Sequence, residues 1–380
     1  MPISLAMRRL MFIFLLVLAA RGSAAGPRTD VVLLGQSAAF TGPTQALGLE
    51  IRKGIEAYLT HLNLSGGIEG RPVLLKSFDD MGSAVTSVEN ARKLVDEEKV
   101  VALIGTVGTP ASEAVAAYAN TAKVPLIAPF SGAESLRRPA NRYVFNLRAG
   151  HSREAERLAR QLSAMGLSSA SVAFQDDAFG RECLVSFEAA ATQAGLKVKT
   201  SRKLSSARSE VQAAAQAIVA SGPQAVVLFA TYDIGADFIR AARTAGYGAV
   251  FMTVSAVGSK ALSDELLEQA RGIGMTQVVP FPWVASVPLV AEYQRLMLAS
   301  GHSQKDFGFS SLEGFMAAKL TVDALRRTGR DMSSQRLADS LEGLGDVDLG
   351  GFFVRYGPQS KDGSKYVDLT VIGPAGRFLK

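Results

Sequence analysis

The sequence predicts an α/β protein made of two lobes, each a doubly wound parallel sheet covered by helices. Three observations carry this prediction. The 380 residues exceed the length of one average domain. From Val31 onward, short apolar runs alternate with amphipathic runs, which is the pattern of parallel strands joined by helices. That alternation comes in two successive series, and the composition, 48% hydrophobic and 20% charged, is that of an ordinary globular protein.

The first residues predict an export signal. Arg8 and Arg9 precede an apolar run from Leu10 to Ala20, and small residues follow at 23–25. This order is typical of a cleaved secretory signal peptide, and the run is shorter than the roughly 20 residues of a membrane span. We therefore expect residues 1–25 to be removed and the mature protein to be exported. Retention of the segment as a membrane anchor is the alternative. No cysteine stands near the cleavage region, so no lipid anchor is expected.

Charge and cysteine content restrict the classes of partner. The net charge of +6 and the pI of 9.4 raise the possibility of nucleic-acid binding. Three arginines lie in the export segment, however, and their removal lowers the charge to +3. No basic block stands out in the rest of the chain, so no nucleic-acid partner is expected. Cys183 is the only cysteine, which excludes an intramolecular disulfide and favours a buried thiol.

The first series of strands and helices occupies the residues up to about 130. A helix after the first strand carries Ile51, Ile55, Leu59 and Leu62 on one face, and a glycine-rich stretch ends it. The strands of this series are predicted at 31–38, 72–78, 100–105 and 124–129.

The second series begins near Ser152, and the chain then changes pattern. Strands alternating with helices are predicted at 171–175, 196–200, 224–229 and 249–254. The tail has helical patterns at 286–299, 309–328 and 334–342, followed by strands at 352–356 and 366–372. A turn rich in glycine and aspartate, 360–364, separates these last two strands.

The sequence contains no motif for catalysis or metal binding. The only histidines, His61, His151 and His302, lie outside any zinc-binding pattern, and no nucleophile elbow, phosphate loop or dinucleotide fingerprint is present. We expect no metal, no cofactor and no enzymatic activity.

An exported enzyme with an interlobe cleft is a remote alternative. Its acid and base candidates are the adjacent pairs Asp79–Asp80 and Asp176–Asp177, and adjacent side chains point to different sides of an extended chain.

Three loops that follow predicted strands are the candidates for ligand binding. Segments 36–45, 105–113 and 128–136 are rich in Gly, Ser, Thr and Pro, and the carboxyl ends of parallel strands are where open sheets bind ligands. The alternative is that these hydroxyl residues only cap helices. Phe40 and Phe130 are either lids on the core or an apolar wall over a ligand.

Four segments together resemble a known family. QSAAFTGPTQALG, LSGGIEGRPVLLKSFDD, VVALIGTVGTPASEAVAAYANTAKVPLIAP and DDAFGRECLVSF are similar to the leucine/isoleucine/valine-binding proteins, the type I periplasmic receptors of ABC importers. The resemblance runs from Val31 to Ile372. It implies the type I periplasmic-binding-protein fold, in which three chain crossings join two lobes; here they would lie near 146–152, 272–278 and 360–364. Lobe 1 would comprise 27–147 plus 275–362, and lobe 2 would comprise 148–274 plus 363–380.

The resemblance also implies a set of ligand-binding residues. In lobe 1 these are Thr109, the carbonyl of Phe130, Ser131 and Gly132, which stands where the family has a threonine. In lobe 2 they are Phe179, Tyr232 and Ser255, which stands where the family has an acid; Leu47 matches a tyrosine of some members.

These departures weaken the case for an ordinary α-amino acid, since a buried ammonium needs a facing carboxylate. They leave room for a neutral amide, a carboxylic acid or an aromatic acid. Arg148, in the first crossing, either pairs with an anionic ligand or is a solvated hinge charge. Asp177, like its neighbour Asp176, is alternatively only a helix cap.

The function implied by the resemblance is that of a monomeric solute-binding protein. It would close around a small-molecule ligand and present it to an inner-membrane ABC permease. A receptor of the same fold that reports the ligand to a regulator is the second alternative.

Overall fold

The computed structural model describes residues 31–380, and the predicted signal peptide lies outside these described residues. The predicted two-lobed α/β architecture is confirmed, with a separate, mainly parallel sheet in each lobe. No helix in the described part of the chain is both long enough and apolar enough to cross a membrane.

Lobe 1 is built on a five-stranded parallel sheet of order β2-β1-β3-β4-β5. Leu34 of β1 is fully buried, and it lies between Leu75 of β2 and Ala102 of β3. The strands are β1 (Val32–Ala38), β2 (Val73–Asp79), β3 (Ala102–Ile104), β4 (Leu126–Ile127) and β5 (Val144–Phe145). The helices of this part are α1 (Gln45–Leu64), α2 (Ala84–Arg92), continued by a π turn (Lys93–Glu97), and α3 (Thr109–Ala122).

Lobe 2 is built on a seven-stranded sheet of order β15-β14-β10-β9-β8-β6-β7, antiparallel only at the β10–β14 and β14–β15 pairs. Its strands are β6 (Ser169–Gln175), β7 (Lys197–Leu204), β8 (Ala225–Phe229), β9 (Val250–Thr253), β10 (Gly274–Gln277), β14 (Asp368–Ile372) and β15 (Phe378–Leu379). Its helices are α4 (His151–Ala164), α5 (Ala178–Gln193), α6 (Arg208–Ala220), α7 (Tyr232–Thr244) and α8 (Ser259–Leu266).

The chain returns to lobe 1 after β10 and completes it with three helices and a small antiparallel sheet. These elements are α9 (Pro288–Ala299), α10 (Phe309–Arg327), α11 (Ser334–Glu342), β11 (Gly345–Asp348), β12 (Phe353–Gly357) and β13 (Ser360–Gly363). Helix α10 packs closely on α1 because each helix has a glycine at the contact. A Cβ atom on Gly54 would lie 1.8 Å from the Ser311 carbonyl oxygen, and one on Gly314 would lie 2.2 Å from that of Ile51.

The structure corrects two details of the predicted crossings. Residues 275–277, which we expected in lobe 1, belong to β10 and pair with β9 and β14 of lobe 2, so the second crossing follows Gln277. Residues 360–363, which we expected in a turn, form β13 and pair with β12. Gly363 ends that strand at φ +61°, and a Cβ there would lie 2.3 Å from the Asn146 carbonyl oxygen, so the third crossing runs directly against the first.

An aromatic cluster joins the lobes on the side of the crossings. Phe281 and Trp283, which follow the second crossing, pack with Phe309 of α10. Phe378 of β15, in lobe 2, enters this group and stacks on Trp283, with ring centroids 5.4 Å apart and an interplanar angle of 8°. The last strand of the chain therefore anchors lobe 2 to lobe 1.

Candidate functional site: the cleft between the lobes

A small cavity of about 100 Å³ lies between the lobes, at the carboxyl ends of the strands. Both lobes form its wall, through residues Thr44, Leu47, Gly82, Val107, Gly108, Thr109, Pro110, Ala111, Phe130, Gln175, Asp177, Phe179, Thr231 and Ala256. All three loops singled out in the sequence contribute to this wall. The lobes are in contact around it. A Cβ on Gly258 of lobe 2 would lie 2.7 Å from the Leu47 side chain of lobe 1.

The amino-terminus of α3 forms the lobe 1 wall together with the loop after β4. Gly108 precedes the helix at φ +86° and offers no side-chain cap, so the Thr109 and Ala111 amides of the first turn are uncapped, whereas Pro110 between them has no amide hydrogen. The hydroxyls of Thr109 and Ser131 are hydrogen-bonded at 2.7 Å. Phe130 lies in the wall, while its carbonyl accepts a 3.3 Å hydrogen bond from the Gly108 amide. Of the predicted lobe 1 residues, Thr109 and Phe130 line the cavity and Ser131 supports Thr109.

Gly132 contacts His151, which was not among the residues predicted for the site. Its amide donates to Nε2 of His151, at 3.0 Å, and a Cβ on Gly132 would lie 2.4 Å from the His151 ring. His151 is fully buried at the start of α4, and its Nδ1 lies 3.2 Å from the Glu182 carboxylate of α5. Burial raises the pKa of Glu182, but hydrogen bonds from His151 and from loop amides outweigh it, and the net shift is downward. The missing threonine is thus replaced by an imidazole that ties the loop to lobe 2.

The lobe 2 wall combines an aromatic ring with a hydrogen-bonded acid. Phe179 lines the cavity and packs edge-on against His151 at 5.3 Å. Asp177 also lines it, and its carboxylate accepts hydrogen bonds from the Gly180 amide at 2.9 Å and from the Gln175 side chain at 2.8 Å. Burial raises the pKa of Asp177. Asp177 is therefore both the cap of α5 and part of the cavity wall.

Tyr232 reaches across the cleft from the start of α7. Its phenolic oxygen accepts a hydrogen bond from the Ala46 amide of lobe 1 at 3.4 Å, and its ring is 7% exposed. Burial raises the pKa of this phenol. The contact exists only while the lobes are together, so Tyr232 belongs to the contacts that close the cleft.

Ser255 lies outside the cavity wall, in a buried polar cluster beside it. Its amide donates to Glu154 at 2.9 Å, and its hydroxyl accepts from Arg148 at 3.0 Å. Arg148 also pairs with Glu313 of α10 at 3.0 Å and stacks over the Phe130 ring at 4.0 Å. Arg148 is 1% exposed, so the interpretation as a solvated hinge charge is wrong: it is a buried link between the lobes.

The four aspartates considered for catalysis have structural partners. Asp79 accepts from the amides and hydroxyl of the loop after β1, and Asp80 accepts from Ser37 and Ser87. Asp176 faces outward and pairs with Arg181 and Lys203. Within residues 31–380 no three histidine, cysteine or acidic side chains are grouped so that they could hold a metal ion.

His151, Asp177, Glu154 and Glu313 are the polar residues of the cleft that sequence reasoning passed over or left open. Of these residues, only Asp177 had a local sequence signal, since it was recognised as a possible helix cap just before Phe179. The other three pair with residues far away in the chain, at separations that no local pattern reveals.

The comparisons with known proteins agree with this geometry. A model described as periplasmic binding protein matches residues 32–372. Among curated relatives, the Leu/Ile/Val-binding protein homolog 3 of Brucella melitensis is 27% identical over 176 residues. That alignment covers 46% of this chain and 47% of the relative, so the chain spans about half the length of the curated relative it matches.

Solved structures match over almost the whole described chain. A substrate-binding periplasmic protein from Ralstonia solanacearum is 30% identical, with a TM-score of 0.85, and the match covers 92% of this chain and 99% of that one. A branched-chain amino acid ABC transporter protein from Thermus thermophilus, solved with bound valine, shares the fold at 18% identity, with a TM-score of 0.83 and coverage of 92% and 95%. These matches confirm the predicted type I fold. Since the family model covers nearly all of residues 31–380, the chain belongs to the periplasmic binding protein family.

Proposed function

We propose that this protein is exported to the periplasm, captures a small amino-acid-like or other polar or carboxylate solute between its lobes, and delivers it to an inner-membrane ABC permease. The observation that carries the proposal is the cavity shared by both lobes, in which an uncapped helix start faces an acid across apolar side chains. The names of the Brucella relative and of the valine-bound Thermus protein support an amino-acid-like solute.

Binding would act through hinge closure. A ligand held by the α3 terminus gains contacts with Phe179 only when lobe 2 approaches, and the Tyr232–Ala46 hydrogen bond then holds the lobes together, so the ligand favours the closed form. Conversion of a mostly open population into a mostly closed one needs about 5.5 kcal/mol of preference. Several buried hydrogen bonds at about 1 kcal/mol each, together with the burial of an apolar side chain, are of that size. The permease would then recognise the closed surface.

The experiment measures binding and closure on the same sample. The mature protein is unfolded and refolded to strip carried-over solute, then screened by calorimetry against amino acids, amides, urea and aliphatic and aromatic acids. Small-angle X-ray scattering with the best binder should show a smaller radius of gyration, and the scattering mass tests the expected monomer. If no solute binds, or if binding leaves the radius unchanged, the proposal fails.

Tyrosine variants separate closure from general stability. Tyr232→Phe removes only the hydroxyl that contacts Ala46, so we expect an affinity loss of roughly fivefold, from one hydrogen bond. Tyr247→Phe is the matched control, because Tyr247 is buried to the same 7% exposure and its hydroxyl makes no hydrogen bond within the described chain. Equal affinities for the two variants would contradict the role of Tyr232. Delivery itself is tested by stimulation of ATP hydrolysis in proteoliposomes that hold a branched-chain-type ABC permease from the same bacterium.

A further inference from the structure

Among the described residues that line the interlobe cavity, Asp177 is the one charged side chain. The others supply apolar groups, hydroxyls, one carboxamide and backbone. Asp177 forms no ion pair within residues 31–380, since the nearby Arg181 pairs with Asp176 on the outer surface. A carboxylate in this partly desolvated position lacks a cationic partner from the protein.

The Asp177 carboxylate is held in a fixed orientation. The Gln175 side chain donates to Asp177 Oδ2, and its own oxygen accepts from the Thr231 amide and hydroxyl, both at 3.0 Å. The Gly180 amide holds Oδ1, and the Phe179 amide also donates to the carboxylate. These three hydrogen bonds leave about one of the roughly four acceptor positions of a carboxylate for a ligand.

The opposite wall has the complementary polarity. Helix α3 is 14 residues long, and its first turn lines the cavity at Gly108, Thr109 and Ala111. Pro110 has no amide hydrogen and the Ser112 amide donates to the Gly108 carbonyl, so the Thr109 and Ala111 amides are the unbonded ones of this turn, and such amides at a helix start favour an anionic group. The cavity is therefore bipolar, with the partial positive charge of α3 in lobe 1 and the Asp177 carboxylate in lobe 2.

Ser255 stands where the resemblance implies an acid, but its polar groups bond within the protein. The Ser255 amide and hydroxyl are both bonded, to Glu154 and to Arg148, and the residue does not line the cavity. The only acid available to a ligand in the described wall is thus at the cap of α5.

We propose that Asp177 is the specificity-determining residue of this cleft and binds the ammonium group of the ligand, so that the site selects a small solute carrying an ammonium group together with an anionic group. This inference rests on the proposed function. The carboxylate that the family has after β9 is here supplied by Asp177 at the start of α5. A ligand with an ammonium group, which Ser255 alone argued against, therefore fits this cleft.

The test compares Asp177→Asn and Asp177→Ser with Asp176→Asn in the full mature protein. Asn and Ser are good helix caps, so both variants at 177 keep the start of α5 while removing the charge. Asp176 is adjacent in sequence but points outward, which makes its variant a matched control for local charge. Urea unfolding confirms that all three variants are folded.

Calorimetry is run with three probe pairs: L-valine and 3-methylbutanoate, L-leucine and 4-methylpentanoate, and L-alanine and propanoate. Wild-type protein should prefer the amino acid of the best pair. Both Asp177 variants should lose roughly 10- to 150-fold in affinity for that amino acid, the range for a hydrogen bond to a charged group, and should bind its deaminated partner within threefold of wild type. Asp176→Asn should bind both as wild type does.

Three results would overturn the inference. If the Asp177 variants bind the amino acid as tightly as wild type does, Asp177 is only the cap of α5. If their affinities for both members of the pair fall equally, Asp177 shapes the cleft but does not bind the ammonium group. If wild-type protein binds deaminated acids or amides but none of the amino acids, the ligand class is wrong, although the proposed solute-binding function stands. The absence of binding by every solute removes both proposals together.

Discussion

The buried ion pair between Arg148 and Glu313 gives the sharpest prediction of stability. Arg148→Met removes the charge but keeps a long apolar side chain over the Phe130 ring. The variant leaves Glu313, which is 3% exposed, without its partner at 3.0 Å. Removal of one member of a buried pair costs about 3–5 kcal/mol, and loss of the guanidinium–aromatic contact adds about 0.5–2 kcal/mol. We therefore expect unfolding free energy to fall by about 5 kcal/mol at pH 8.

The pH dependence of this loss has a definite sign. Burial already raises the pKa of Glu313, and the Arg148 charge opposes that shift. Without Arg148 the pKa of Glu313 rises further, and the folded state holds the proton over a wider pH range than the unfolded state does. The cost of the variant should thus shrink as the pH is lowered towards the ordinary glutamate range and grow as the pH rises through the new, higher pKa.

Urea denaturation from pH 5 to pH 8 measures both effects. The double variant Arg148→Met/Glu313→Gln should recover more than half of the loss, because it removes the Glu313 charge that Arg148→Met leaves without a partner. Arg355→Met is the matched control, since Arg355 forms an ion pair with Asp346 in which both side chains are exposed. It should leave the stability nearly unchanged. The reasoning is refuted if Arg148→Met costs no more than Arg355→Met, or if its cost does not depend on pH.

Three further predictions concern single residues. Burial raises the pKa of Glu50 to about 7 from its usual 4.5. The stability that its protonated form contributes is therefore complete below about pH 4.5 and is lost as the pH rises through 7. Glu50→Gln should flatten the pH dependence of the urea unfolding free energy over that window, and an unchanged slope would contradict this. Burial also raises the pKa of the Cys183 thiol well above its usual value, so iodoacetamide should modify it only in denaturant, and labelling of native protein at the rate of a free thiol would refute this. Gly132→Ala should cost about 1–3 kcal/mol in urea unfolding because its Cβ meets His151, whereas Gly248→Ala, with open space around it, should cost much less; equal costs would argue against the contact.

Much of the fold could be predicted because its signals are local. Predicted strands at 31–38, 72–78 and 224–229 differ by a residue or so from β1, β2 and β8, and the predicted helix at 334–342 has the observed bounds. Each of these segments is an apolar or amphipathic run whose period is visible in the chain itself.

The elements that escaped prediction depend on distant partners. Residues 274–277 are too short to stand out as a strand, and they become β10 by pairing with β9 and β14. Residues 360–363 have the composition of a turn, and they become β13 because β12 offers an edge. Pairing across the sheet outweighed local propensity in both cases.

The site residues divide in the same way, into those with a local sequence signal and those that depend on distant partners. The loops that contain Thr109 and Phe130 were selected by their position after strands, Phe179 was selected by the resemblance, and all three residues line the cavity. Ser255 was selected by the resemblance, and it serves the buried charge cluster instead. His151 was set aside for lack of a metal motif, although its function is to hold the Gly132 amide, a contact that only the folded chain creates.

The stacked pair at the hinge also has a spectroscopic consequence. Trp283 is the only tryptophan in the sequence, and its ring lies on Phe378 of the other lobe rather than in the cavity wall. Its fluorescence emission is therefore a built-in optical reporter of how the lobes sit relative to each other. A change in emission on addition of a solute would signal rotation at the hinge without contact between the solute and the indole. A tag fused after Lys380 would stand two residues from this pair and could disturb the signal, so an affinity tag is better placed at the mature amino-terminus.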